Sequence, residues 1–439
     1  MRTGILASTL AALGLTLGLA PAAHASVAPI IGPITNLSQA CSGQNAEVEQ
    51  AVDPVGGEIY EAWIGCDGIG FARSTDSGRH FDAPMTVPGS ADGWDPAITV
   101  ARNGTVYVAY MTSQNTESYP VVAASFDHGR TFPRVSPLVP GVPNNWGDRD
   151  FIAVGPDGSV YVTWDYGPSA DDVTSICTPG GSCAFATGDL NVVIQKSTDG
   201  GRTWGRIIPV SPGFPASGGD SAPLVIEPNG RIDLEYQGYQ VTNPNTFTLA
   251  PAHSYFTSST DGGRSWSSPV RVGPDDLTMS LAEWWIDGSL GIDRAGDLYI
   301  TWDTQGATTD TGWLSFSTDH GRTWSPLVRV TPDTDNATHI VQVTGGAPGI
   351  AYVGWLSDNS PQGYAQYVRP FAIGRGWLSD PVRVSSQFGD SSIWPGDTFG
   401  ISTLPFGAGV AVSWGSAVGN QPNSEIFGAD VLFAPGYRG

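Results

Sequence analysis

The densest chemistry in this chain lies in Asn144-Asn-Trp-Gly-Asp-Arg-Asp150, where Asp148 and Asp150 flank Arg149. A second segment, Glu283-Trp-Trp-Ile-Asp287, sets two carboxylates around Trp284 and Trp285. More acids stand where short apolar runs begin, at Glu47, Asp95, Asp220 and Asp397, with Trp94, Trp146 and Trp394 close by in the chain. A carboxyl pair can divide into a proton donor and a base or nucleophile, and indole faces stack on the C–H faces of sugar rings. Arg149 offers a planar donor fork for a carboxylate or for hydroxyls. The expected reactive group is Asp95, Asp148, Asp150 and Glu283, with Arg149, Trp94, Trp146, Trp284, Trp285 and Trp394 holding a ligand. Each also has a plainer reading: Asp caps turns at strand starts, Trp packs between sheets, and Arg149 can pair with its own neighbours.

The elements that must position these residues are read from a repeat. Five copies of S-x-D-x-G-R-[TSH]-[WF] occur, at Ser74–Phe81, Ser125–Phe132, Ser197–Trp204, Ser259–Trp266 and Ser317–Trp324. Each sits in a longer unit of strand, tight turn, strand, loop, strand, then phrase and a short fourth strand. Alternation is short and of period two, and no window supports a long helix. Seven first-and-second-strand pairs can be counted, the last two being Ile340–Trp355 and Phe399–Trp414. A unit of this kind cannot bury its own apolar face and must stack on its neighbours. The pattern predicts an all-β chain forming a single β-propeller of four-stranded blades, seven in number, or six if the last pair is miscounted. The last blade lacks a fourth strand, and Gly32–Leu37 near the N-terminus is the expected donor that closes the ring.

The phrases and strand order resemble the Asp-box (bacterial neuraminidase repeat) propellers, a superfamily that includes the sialidases. The resemblance runs from about Glu47 to Trp324. It implies a propeller, whereas relatives of this kind include sialidases, other glycosidases, lyases and proteins without catalysis. The aspartates Asp76, Asp127, Asp199, Asp261 and Asp319 then belong to turns, accepting backbone N–H groups, and are excluded as catalysts. True sialidases grip an acidic sugar with three arginines and carry an early Arg-Ile-Pro segment; neither is evident here.

Strand order divides the loops into two faces. The phrases fall on one face, and the loops carrying Asp148, Asp95 and Glu283 fall on the other, around the channel mouth. Cys41 and Cys66 both approach the mouth, and Cys177 and Cys183 share one long loop, so the expected disulfides are Cys41–Cys66 and Cys177–Cys183. No C-x-x-C or EF-hand spacing is present, and no metal or cofactor is expected.

Arg2, the apolar run Ile5–Leu19 and Ala23-His24-Ala25 read as a secretory signal over residues 1–25, leaving 26–439 as the propeller of a secreted protein. The formal net charge of −22 argues against nucleic acid or anionic membranes as partners. No stretch of spanning length follows the signal, so membrane insertion is not expected, and a monomer is. The leading expectation is a secreted glycoside hydrolase acting on a glycan by carboxylate acid/base chemistry. A non-catalytic glycan- or protein-binding propeller is the alternative, followed by a polysaccharide lyase using His253 or His339, or a true exo-sialidase.

Overall fold

Among the described residues, seven antiparallel blade sheets follow one another in chain order, with one additional two-stranded hairpin. The computed structural model describes residues 28–139, 141–167, 175–177, 183–185, 191–211, 217–243, 248–249, 252–274, 288–304, 310–332, 337–358, 361–405 and 409–433. Among these residues there is no α-helix, and no helix is long and apolar enough to cross a membrane. The first blade contains Ala46–Val52, Ile59–Ile64, Ile69–Ser74 and Met85–Thr86. The second contains Trp94–Val100, Val106–Gln114, Glu117–Ser125 and Arg134–Pro137. In the third, Trp146–Val154 and Val160–Gly167 precede a small hairpin, then Asn191–Ser197 and Ile208–Pro209. Blade four is taller, because its second strand runs through Ile232–Asn243 and pairs with both Ser217–Asp220 and Leu224–Ile226. Blades five and six follow the same order, from Ser289–Ile292 to Val328–Arg329 and from Ala337–Gly345 to Val382–Arg383.

The ring closes as the sequence predicts. Blade seven takes Gly400–Thr403, Gly409–Ser416 and Glu425–Leu432 from the C-terminal part. Its outer strand comes from the other end, with Ile30 opposite Leu432 and Thr35 opposite Gly428. That pairing covers a strand edge that would otherwise be open to other chains. Seven blades are present, so the six-bladed count is excluded.

The core lies between blades. Tyr60, Phe71 and Val87 of blade one share a cluster with Val106, Val108 and Val121 of blade two. Ala109 and Met111 of blade two share the next with Val160, Val162 and Trp164 of blade three. Every second strand buries at least one large aromatic in this way, among them Trp63, Tyr110, Trp164, Tyr236, Trp302, Trp355 and Trp414. Truncating such a ring to alanine costs about 3–5 kcal/mol.

The repeated phrase caps the third strand, whose last residue is its serine in all five cases. In the third copy, Gly201 N donates to Ser197 Oγ at 2.9 Å, Thr203 N to Asp199 Oδ1 at 2.9 Å and Thr203 Oγ1 to Asp199 Oδ2 at 2.6 Å. The next copy repeats the set: Gly263 N donates to Ser259 Oγ, and Ser259 Oγ, Ser265 N and Ser265 Oγ donate to Asp261. These donors, the Thr203 hydroxyl first, hold the Asp199 carboxyl below the usual range. The phrase aromatic packs against the preceding blade: Phe132 meets Phe71 edge-on at 4.9 Å, and Trp324 meets Phe256 at 5.3 Å. Gly321, at φ +77°, leaves room for that contact, since a Cβ there would lie 2.0 Å from the Phe256 ring.

Cys41 and Cys66 form a disulfide, with Cα atoms 4.7 Å apart, tying the entry segment to the second-to-third turn of blade one. Cys177 and Cys183 are register partners in the blade-three hairpin; their side chains lie outside the described residues.

Candidate functional site

Register separates scaffold from site. Ser74 pairs with Ile59, at the start of the second strand, whereas Ala46 beside Glu47 pairs with Ile64 at its end. The phrase and the first-strand start therefore lie at opposite ends of the sheet.

A shared irregularity marks the first-strand starts. Register breaks between Ala46 and Val48, Trp94 and Ala97, Asp148 and Phe151, and His339 and Gln342. At or next to these breaks the backbone turns left-handed at Glu47 (φ 49°), Asp95 (46°), Arg149 (45°) and Ile340 (48°), and Ser221 (49°) repeats it in blade four. A non-glycine residue in that region costs about 1–2 kcal/mol. Bulges re-aim side chains, and strain of this kind gathers at functional sites. Blades one, two and three each turn a charged residue this way.

Their side chains meet. Arg149 N donates to Asp95 Oδ2 at 3.0 Å, and Arg149 Nη1 lies 3.7 Å from Asp95 Oδ1. Arg149 Nη2 lies 3.0 Å from Asp397 Oδ1. Asp397 reaches this point because the segment entering blade seven passes Glu47 closely at Gly396, where φ is +103° and a Cβ would lie 2.1 Å from the Glu47 nitrogen. Trp94 Nε1 donates to Asp148 Oδ1 at 2.8 Å. Asp95 also raises the carboxyls of Glu47 and Asp148, so three acids from three blades are electrostatically coupled.

One guanidinium does not offset the burial and mutual repulsion of so many carboxyls, and several are raised above the usual range. Burial drives the Glu47 carboxyl well above the usual range, and the charges of Asp397 and Asp95 add to it, against the pull of Arg149. Asp148 is raised by burial and then by Asp95, with the Trp94 N–H opposing. Asp150 is raised by burial first and by Asp95 next. Asp150 is only 2 % exposed, and among the described residues neither of its oxygens has a hydrogen-bond partner. A proton held on such a group is available to a leaving group.

Trp94 and Trp146 open the first strands of blades two and three and are half-buried. Trp394 is half-buried in the segment entering blade seven, where its carbonyl accepts from Gln44 Nε2 at 2.5 Å. Glu283, Trp284 and Trp285 lie outside the described residues. Glu47 and Asp397 join the cluster although the expected reactive group omitted them. Glu47 occupies the same position in its blade as Asp95 in the next, and that repeat alignment was the available signal. Further round the ring, His339 Nδ1 lies 3.4 Å from Asp310 Oδ2, and burial lowers the imidazole to about 4, so it is neutral. Glu235, fully buried in blade four, accepts from Ser254 Oγ at 2.7 Å.

This is a seven-bladed β-propeller with an acidic cluster at the first-strand face. In sequence it is 31 % identical over 193 residues to a sialidase of Micromonospora viridifaciens, a match covering 39 % of this chain and 27 % of that protein. The chain thus spans little more than a quarter of that relative's length. No family model matches. Among solved structures, an ulvan lyase of a polysaccharide lyase family superposes with a TM-score of 0.56 at 14 % identity, covering 90 % of this chain and 96 % of that one. A protein of unknown function from Dyadobacter fermentans gives 0.53 at 15 % identity, covering 93 % and 99 %. An α-L-arabinofuranosidase from Fusarium graminearum gives 0.51 at 11 % identity, covering 93 % and 97 %. At these identities the superpositions speak for the fold.

Proposed function

We infer that this chain is a secreted glycoside hydrolase acting on an extracellular glycan, with its reaction centred on the acids of blades one to three. The observation that carries this reading is the coupled trio Glu47, Asp95 and Asp148, in which burial and Asp95 push the Glu47 and Asp148 carboxyls toward the protonated form. A protonated Asp148 or Glu47 delivers its proton to the glycosidic oxygen. Asp95, steadied by Arg149, faces the positive charge that grows on the sugar or activates the water or covalent step that quenches it. Asp150, sealed from solvent, acts as a positioning group beneath Arg149. Trp94, Trp146 and Trp394 supply sugar platforms, and Glu283, Trp284 and Trp285 remain candidates beside them. The Cys41–Cys66 disulfide suits an oxidising, extracellular setting, and the glycosidase and lyase names among the structural neighbours are compatible with a glycan ligand.

The test is release of reducing ends from a glycan panel by the purified protein. Asp148→Asn, Glu47→Gln and Asp95→Asn are expected to cut turnover by about 100-fold or more in at least one case. Unchanged turnover in all three variants would remove the assignment. A lyase is the second reading, favoured by the neutral imidazole of His339 beside Asp310. An unsaturated, ultraviolet-absorbing product lost in His339→Ala would select it.

A further inference from the structure

Away from the acidic cluster, on the phrase face, the hairpin joining the first two strands of blade one meets the phrase turn of blade two. Asp53, Glu58 and His128 there each bring a ligand atom within 4.8 Å of the others. His128 Nδ1 lies 2.8 Å from Glu58 Oε2, which also accepts from the Tyr60 hydroxyl. Asp53 is 4 % exposed, and its Oδ1 accepts from the Val55 N–H at 2.8 Å. Among the described residues no donor reaches its other oxygen. The His128 ring lies so close over Gly104 that a Cβ there would be 2.3 Å from it, which fixes the imidazole.

The seam between blades four and five shows the same histidine in a different setting. His320 Nδ1 lies 2.7 Å from Glu227 Oε1, but Arg231 stands alongside, with Nη1 3.9 Å from Glu227 and Nε 2.9 Å from Asp233. A guanidinium supplies the positive charge at that seam. At the blade one–two seam Arg73 lies close enough for its charge to lower the Glu58 carboxyl, but it pairs with Asp82 at 2.6 Å and donates to the His128 carbonyl at 2.8 Å rather than bridging Glu58 and Asp53. Two carboxylates and an imidazole are left facing one another there.

We propose that Asp53, Glu58 and His128 form a binding site for a divalent transition ion of the Zn²⁺ class, which clamps blade one to blade two. An imidazole with two carboxylates suits such an ion better than Ca²⁺ or Mg²⁺, which favour all-oxygen shells. Three protein ligands leave a position for water, and the Tyr60 hydroxyl orients Glu58 from outside the ligand set. The site is independent of the glycosidase reading.

Calorimetric titration of ZnCl₂ into the tag-free, chelator-treated full chain tests this. Expected is one saturable site with a Kd of about 10 µM or tighter, and a thermal midpoint raised by added Zn²⁺. His128→Ala and Glu58→Gln should each weaken binding at least about 10-fold, while His320→Ala at the sister seam leaves it unchanged. Folding of each variant is checked by its thermal transition without metal. Absence of saturable binding to the parent chain overturns the site. So does equal affinity in both His128→Ala and Glu58→Gln, or a matching loss in His320→Ala.

Discussion

Arg149 Nη2 stands 3.0 Å from Asp397 Oδ1, an ion pair linking blade three to the segment that enters blade seven. In the ring these elements are separated by blades one and two, so a single guanidinium spans the acids of four blades. Both partners are largely buried, with 10 % and 23 % of their side chains exposed.

Arg149→Met should therefore do more than remove one contact. Stranding Asp95 and Asp397 without their counter-charge should cost about 3 kcal/mol at neutral pH. Urea denaturation of parent and variant measures the difference; a change below about 0.5 kcal/mol would mean the pair is solvent-screened.

Glu61 makes the seam between blades one and seven sensitive to pH. It is fully buried, accepting from Gln50 Nε2 at 2.6 Å and Ser413 Oγ at 2.7 Å, and burial lifts its carboxyl to about 8. Between the unfolded value near 4.5 and about 8, the folded chain holds a proton that the unfolded chain has released. Stability from this group is complete below that window and is lost as pH rises through it, by up to roughly 1.4 kcal/mol per unit. Thermal midpoints measured from pH 5 to 9 should fall with a shallower slope in Glu61→Gln; identical slopes would assign the dependence to other groups.

The Trp94 N–H restrains the rise of Asp148. If Asp148 is the proton donor, Trp94→Phe should move the alkaline limb of the kcat/KM profile to higher pH, because the acid stays protonated longer. A limb that stays in place while KM rises would leave Trp94 as a sugar platform alone.

Cys41–Cys66 closes a loop with a sequence separation of 25. Replacing both by serine should lower stability by about 3 kcal/mol. Reduction of the parent chain should reproduce that loss, and guanidinium titration with and without reductant compares the two.

Much of this architecture was legible because it repeats. The five phrases fixed the third-to-fourth hairpins, and the orphan segment Gly32–Leu37 pointed to the closing strand, since an unpaired edge needs a partner. Cys41–Cys66 followed from placing both loops on one face. The site was less legible. Asp95, Asp148 and Arg149 stood out by local density, but Glu47 and Asp397 lie isolated in sequence among ordinary strand-start acids.

Strand order within the blades and the division of loops into two faces were thus determined by the sequence alone, because period-two alternation and turn chemistry act over a few residues at a time. The choice of seven blades over six needed the closed ring. Which acids raise one another, and which face Arg149, only the tertiary structure decided. Those relations depend on bulges that turn Glu47, Asp95 and Arg149 left-handed, and on a ring closure that brings Asp397 beside them. Burial and charge coupling act through space, so Asp397 can raise the carboxyl of Glu47 although the two lie some 350 positions apart.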